Sequence, residues 1–223
     1  AAYTNVDKCE SNKLLARDIN VVGIKNIIKA SKKNTKIIQI SSDYVFDGKK
    51  GSYSEDDMTY PINYYGKTKL EAENILIGSG LPYVIFRPNV LYGDSFQYCN
   101  FLTWVVKSLS ENKKISVVSD QKSNPTYIRE LVNAIFTSII VDFRGLLHIG
   151  SKDVISRLDF ANIISDVFKL NNELISEAST DILNQPAARP LKSNLEIDKI
   201  QEVLNIDLAE TYYYVNKVYE HRC

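Results

Sequence analysis

Two groups of reactive side chains stand close together in this 223-residue chain. One is Ser41-Ser42-Asp43-Tyr44-Val45-Phe46-Asp47-Gly48, and the other is Asn63-Tyr64-Tyr65-Gly66-Lys67-Thr68-Lys69. The first supplies hydroxyls where the apolar run Ile37-Ile38-Gln39-Ile40 ends; the second supplies a phenol and an ammonium four residues apart. On a helix, positions i and i+4 share a face, so Lys69 can hold its charge near the Tyr65 oxygen. At about 4 Å and an effective dielectric of about 20, that charge favours the phenolate by roughly 4 kcal/mol. The equivalent shift, about three pKa units, brings a phenol from ~10 toward neutrality, where it can act as a general acid or base. With the hydroxyl of Ser42, these are the parts needed to pass a proton to or from a carbonyl oxygen.

Positioning them requires a strand that ends at the hydroxyls and a helix that begins at the phenol, and the apolar periodicity predicts both. A strand is expected over 36–41 and a helix over 65–76, the latter stopped by Gly78-Ser79-Gly80. A long helix over 14–28 precedes them. Strands over 83–87, 115–119 and 145–150 alternate with helices over 100–110, 128–141 and 158–170. This alternation is the signature of a parallel sheet covered by helices. Beyond Asn171 the chain is richer in Asn, Glu and Pro and reads as a segregated lobe, with helices near 197–204 and 208–219. A second Tyr-x-x-x-Lys, Tyr213/Lys217, has no strand and hydroxyl upstream and reads as a surface pair. Asp47 beside Gly48 reads as a turn former, Arg87 as an ion-pair partner at a strand end, and His148 as a satisfied core histidine.

Composition narrows the class. Hydrophobic residues make up 44%, and 27 basic side chains balance 27 acidic ones. No basic patch accumulates, which argues against nucleic acid as a partner. No apolar stretch approaches the ~20 residues of a membrane span. Cys9, Cys99 and Cys223 are odd in number and show no metal-ligand spacing, so no metal is expected and reduced thiols in a cytoplasmic protein are the plain reading.

The ordered blocks resemble the extended short-chain dehydrogenase/reductase superfamily, and within it the dTDP-4-dehydrorhamnose reductase (RmlD-like) family. The resemblance runs nearly the whole length. It includes Ala1-Ala2-Tyr3-Thr4-Asn5-Val6-Asp7-Lys8-Cys9-Glu10 and Arg87-Pro88-Asn89-Val90-Leu91-Tyr92-Gly93. It continues through Asp120-Gln121 with Pro125-Thr126, then Ala188-Arg189-Pro190 with Ser193-Asn194-Leu195. It implies an α/β fold: a Rossmann-like doubly wound parallel sheet with a small C-terminal substrate-binding lobe. Residues 1–150 would be the remainder of the NAD(P)-binding domain, interleaved with lobe segments, and 151–223 mostly the lobe. The implied activity is reduction of a 4-keto-6-deoxy sugar nucleotide by NADPH or NADH in dTDP-rhamnose biosynthesis, with a homodimer as one possible assembly.

Carried over by position, the resemblance makes Tyr65 the proton donor and Ser42 the hydroxyl that steadies the carbonyl oxygen. Lys69 would lower the Tyr65 pKa and hold the nicotinamide ribose. Ala2, Tyr3, Thr4 and Ile40 would line the cofactor, and Asp43 would contact the sugar. Arg189 would pair with a diphosphate. Val90 falls where the bacterial reductases place a tryptophan against the sugar nucleotide. The nine glycines include no Gly-x-Gly-x-x-Gly or Gly-x-x-Gly-x-x-Gly to cradle a pyrophosphate. Two βα units are therefore expected to be missing from a parent of roughly 280 residues, leaving these 223 residues inactive on their own. The 40–48 and 65–70 blocks are also similar to the regulatory β subunit of methionine adenosyltransferase, whose partner would be the catalytic subunit of that enzyme. A sugar-nucleotide epimerase or dehydratase is a further alternative.

Overall fold

The computed structural model describes residues 2–95 and 100–221; Ala1, Cys99 and Cys223 lie outside them. The chain opens with helices α1 (Val6–Ser11) and α2 (Lys13–Arg17). A π-helical turn, Asp18–Val22, then leads into α3 (Gly23–Ala30). Strand β1 (Ile37–Ile40) and helix α4 (Tyr64–Ile77) follow. Next come β2 (Tyr83–Pro88), β3 (Leu91–Tyr92), α5 (Phe101–Ser110), β4 (Ile115–Val118), β5 (Lys122–Ser123) and β6 (Thr126–Tyr127). Helix α6 (Ile128–Ile140), β7 (Gly145–Ile149), β8 (Ile155–Ser156) and α7 (Arg157–Val167) complete the middle of the chain. Strand β9 (Ile175–Ala178) and helices α8 (Asp198–Leu204) and α9 (Thr211–Glu220) end it.

Strands β1, β2 and β7 form a parallel sheet in the order β1-β2-β7. Parallel neighbours need crossover connections, and the helices supply them. The strands are apolar on both faces, as a sheet covered on both sides requires. Ile37 and Ile85 bury one face against Ile24 of α3 and Ala72 and Leu76 of α4. Val84, Phe86, Leu147 and Ile149 bury the other face against Leu131 and Ala134 of α6. Each such fully buried side chain contributes roughly 1.5–3 kcal/mol.

The remaining elements build a lobe around Leu102, Val105, Phe160, Ile164 and Val215, from α5, α7 and α9. Strand β4 pairs in parallel with β9 against this core. The compositional change at Asn171 is not a packing boundary. Ile197, Ile200, Leu204 and Leu208 join the sheet core under β7, whereas Tyr214, Val215 and Val218 of α9 belong to the lobe core. The chain therefore returns to the sheet after 171 before finishing in the lobe.

Candidate active site

The site forms where β1 ends. Ser41 N–H donates to the Phe86 carbonyl at 2.7 Å, continuing the ladder one residue past the strand. Ser42 then caps a short 3-10 turn, Asp43–Val45: its Oγ accepts from Tyr44 N–H at 3.1 Å and donates to Asp43 Oδ1 at 2.9 Å. Ser41, Ser42 and Asp43 are all buried. Asn63 caps α4, with Oδ1 accepting from Gly66 N–H at 2.8 Å and Nδ2 donating to the Ala188 carbonyl at 2.9 Å. Gly66 is required by distance: a Cβ there would sit 2.1 Å from the Tyr44 carbonyl oxygen. The missing side chain lets α4 press its first turn onto the Ser42–Tyr44 turn, and the Tyr65 ring meets that of Tyr44 edge-on at 6.0 Å.

Ser42, Asp43 and Tyr65 are thus brought together, but the Lys69 charge goes elsewhere and the Tyr65 electrostatics differ from the sequence expectation. The Lys69 ammonium donates to the Ile40 carbonyl at 2.5 Å. Burial lowers its pKa to about 8, with Glu73 one turn further on acting in the opposite direction. The Tyr65 phenol is not shifted toward neutrality. Burial pushes its pKa above the ordinary value and the Asp43 carboxylate adds to the rise, while the nearby Ser42 hydroxyl acts the other way. A Coulomb estimate on i,i+4 spacing omits both desolvation and the carboxylate. The phenol therefore stays protonated, and it is a weaker acid here than a free tyrosine. Asp43 is itself pushed up to about 6 by burial, with the nearby Ser193 and Ser42 hydroxyls and the Arg157 guanidinium acting the other way, and its Oδ2 is buried without a hydrogen-bond partner.

One residue that sequence reasoning missed is Asn20, buried on the π-turn. Its Oδ1 accepts from Tyr3 N–H at 2.7 Å; its Nδ2 donates to the Tyr3 carbonyl at 3.2 Å and to Thr68 Oγ1 at 2.9 Å. Asn20 therefore clamps the Ala2–Thr4 backbone, one wall expected for the cofactor, to the helix that carries Tyr65 and Lys69. The available signal was an amide within the otherwise apolar Ile19–Val22 segment. Ala2 and Thr4 are exposed, and Tyr3 and Ile40 half-buried.

Beside the Tyr44 side of the turn opens a cleft of about 540 Å³, lined by Tyr44, Phe101, Trp104, Arg157 and Arg189 among others. Arg189 reaches it already paired, its Nη2 donating to Asp7 Oδ2 at 2.8 Å and its Nη1 to the Ala187 carbonyl at 2.8 Å. Burial raises the Asp7 pKa, but the Arg189 guanidinium and the Ala187 N–H outweigh it and hold the carboxyl below its ordinary value. Arg157, which sequence reasoning also missed, opens α7 and lies over the Phe101 ring at 5.3 Å beside Tyr44. Burial disfavours its charge, while Tyr44 and the Asp43 carboxylate favour it. Val90 does not line this cleft. It packs on the lobe core with a left-handed φ of 26°, an outlier for a β-branched residue.

Other groups carry structure. Arg87 makes a buried bidentate pair with Glu73 at 3.0 and 2.7 Å. His148 Nδ1 lies 3.1 Å from the Tyr53 carbonyl, and burial lowers its pKa to about 3, so it is a neutral, satisfied core histidine. Tyr213 is half exposed with Lys217 above its ring, a surface pair as expected. Among the described residues no helix is long and apolar enough to cross a membrane.

A parallel sheet covered by helices, with a hydroxyl at a strand end facing a Tyr/Lys helix and an adjoining lobe cleft, defines a dinucleotide-dependent oxidoreductase of the Rossmann-like class. The model of the RmlD substrate binding domain matches residues 1–222. The dTDP-4-dehydrorhamnose reductase of Aggregatibacter actinomycetemcomitans is 33% identical, over 94% of this chain and 75% of its own length. The crystal structure of a dTDP-4-dehydrorhamnose reductase from Clostridium acetobutylicum is 33% identical, with a TM-score of 0.92 over 99% of this chain and 78% of that one. That of the Bacillus anthracis reductase in complex with NADP is 30% identical, with a TM-score of 0.91 over the same shares. The chain belongs to the dTDP-4-dehydrorhamnose reductase family, whose members are NAD(P)-dependent oxidoreductases.

Proposed function

We propose that this chain carries the proton-transfer and substrate-binding machinery for reducing the 4-keto group of a dTDP-4-dehydro-6-deoxy sugar, with Tyr65 as the proton donor. The observation that carries the reading is the Tyr65 phenol, buried beside the Ser42 hydroxyl and the Asp43 carboxylate at the end of β1. Bound NADPH, or NADH, supplies the hydride. The residues present fit such a group. The buried Ser41 Oγ has no partner, the Lys69 ammonium has donors beyond the one given to Ile40, and Ala2 and Thr4 on either side of the clamped Tyr3 are exposed. Ala2, Tyr3, Thr4 and Ile40 would line the nicotinamide end and Lys69 would hold its ribose.

As the carbonyl carbon takes up hydride, the developing alkoxide receives the Tyr65 proton, and Lys69 stabilises the phenolate left behind. Ser42 steadies the carbonyl oxygen when its hydroxyl turns from Asp43 toward it. The unpartnered Asp43 Oδ2 is an acceptor for a sugar hydroxyl. The test is Tyr65→Phe, which keeps the ring and removes the transferable proton. With a pyrophosphate-binding portion supplied, NADPH oxidation in the presence of the dTDP-4-dehydro sugar should fall by about 10²–10⁴ in kcat. Turnover equal to the parent protein would end this assignment.

A further inference from the structure

We infer that Glu73 is a positioning residue for Lys69: its carboxylate, one turn further along α4 and pinned by Arg87 of β2, is the counter-charge that holds the Lys69 side chain as an ammonium at the end of β1. The inference rests on the proposed role of Lys69 beside Tyr65 and adds to that site two residues that act through Lys69.

Tyr65, Lys69 and Glu73 follow one another at i, i+4 and i+8, so the three side chains share one face of α4. That face is turned into the protein: Tyr65 is 9% exposed, Lys69 6% and Glu73 1%. A buried carboxylate is costly unless it is paired. Arg87 supplies the pair, its Nε and Nη2 donating to Glu73 Oε1 and Oε2 at 3.0 and 2.7 Å. Arg87 is fixed in turn, with its guanidinium 5.1 Å from the centre of the Phe46 ring and its Nη1 3.4 Å from His148 Nε2. Buried pairs of this kind are often replaceable by apolar side chains without loss of stability, so folding alone does not call for these two charges. What they supply is a carboxylate held in place one turn from Lys69. The ammonium needs it, because the Ile40 carbonyl that accepts its hydrogen bond carries no charge.

The other titratable groups around this face do not take that role. Cys9 of α1, Tyr44 of the turn after β1 and Tyr65 itself have pKa values raised by burial and are uncharged at neutral pH. His148 of β7 is neutral, and Arg87 carries the wrong sign. The Asp43 carboxylate acts on Tyr65, whereas the effect of burial on Lys69 is opposed by Glu73.

The experiment is an NMR titration of the 223-residue chain, labelled with carbon-13 at lysine Cε and glutamate Cδ, and it needs neither cofactor nor turnover. Lys69 should titrate at about pH 8. The Glu73 Cδ resonance should remain that of a carboxylate and move at the same midpoint. A double variant, Glu73→Gln with Arg87→Met, deletes both charges together and leaves neither buried alone. Its Lys69 midpoint should fall by about one unit or more. Glu73→Asp, which keeps a carboxylate, should show a smaller fall. With a pyrophosphate-binding portion supplied, the alkaline limb of the kcat profile should move to lower pH in the double variant, with KM little changed. An unchanged Lys69 midpoint in the double variant overturns the inference. So does a Glu73 resonance in the parent protein that ignores the Lys69 titration, a reading that requires no variant to fold. If Lys69 depends on Glu73 but Tyr65→Phe retains full turnover, the inference stands and the proton-donor assignment falls. If Tyr65→Phe loses turnover while Lys69 titrates independently of Glu73, the assignment stands and the inference falls.

Discussion

Asp7 and Arg189, separated by 182 residues in sequence, form a 2.8 Å ion pair that ties α1 to the rim of the lobe cleft. The Arg189 side chain is 9% exposed and the Asp7 side chain 36%. Asp7 Oδ1 also accepts from Ala187 N–H at 3.1 Å, so one carboxylate fixes both ends of the turn that presents Arg189. A guanidinium so committed holds the cleft rim in place.

A double-mutant cycle distinguishes these roles. Arg189→Ala and Asp7→Ala should each cost about 1–3 kcal/mol in urea unfolding, and the double variant little more than either single one. Additive losses would mean that the pair is not coupled as the geometry indicates.

Ser42 and Lys69 should separate kinetically. Ser42→Ala removes one donor to the developing oxyanion and should lower kcat by about 10²–10³. Lys69→Met keeps most of the stem but removes the ammonium proposed to stabilise the phenolate, and should also cut kcat sharply. Tyr213→Phe, altering the exposed Tyr-x-x-x-Lys pair, serves as the control. Steady-state rates with NADPH and the keto-sugar nucleotide provide the comparison, and a Tyr213→Phe defect as large as that of Lys69→Met would discredit it.

Stability should depend on pH through Asp43. Its folded pKa of about 6 lies above the 3.8 expected when unfolded, so between those values the folded state binds the extra proton. The stability associated with that proton is fully present below about pH 4 and is lost as pH rises through 6. At neutral pH the buried carboxylate then costs on the order of 2–3 kcal/mol. Asp43→Asn should accordingly be more stable than the parent at pH 7.5, with the difference vanishing near pH 4, and should be impaired in turnover. Urea midpoints at the two pH values measure this; a pH-independent difference would refute the linkage.

Gly66→Ala tests the close approach of α4. Helix propensity alone favours alanine by about 1 kcal/mol. The added Cβ would meet the Tyr44 carbonyl oxygen at 2.1 Å, and backbone is not a neighbour that yields cheaply. The variant should therefore be destabilised despite its better propensity and should lose activity beyond its loss of stability. Thermal unfolding and kcat decide it, and a higher Tm with full activity would contradict the packing described.

The regular elements were largely legible because burial imposes a period. Expected strands over 36–41, 83–87 and 145–150 emerged as β1, β2 and β7 with only end residues moved. The expected helix over 65–76 is α4, which begins one residue earlier and ends one residue later. Ser42, Asp43, Tyr65 and Lys69 were recognisable because their types and spacing survive in one dimension. What the one-dimensional reading could not supply was direction. The carbonyl that takes the Lys69 ammonium belongs to Ile40, 29 residues earlier, and the carboxylate that raises Tyr65 arrives from the facing turn. Arg157, Trp104 and Gln185 resemble ordinary helix and loop residues until the lobe folds them around one cleft. The two-residue strands β3, β5, β6 and β8 are too short to carry a period at all.

The π-turn at Asp18–Val22 makes this segment sensitive to length. Gly23 N–H donates to the Asp18 carbonyl five residues back, so the turn encloses one residue more than an α-helix would. Deleting a single residue within 18–22 would let the segment relax into continuous α-helix and turn its two halves relative to each other by about 100°. Asn20 would then lose its register with Tyr3 and Thr68 even though no side chain in the clamp had been exchanged. An indel scan should find positions here that accept many substitutions but no deletion, with helix content preserved while function disappears.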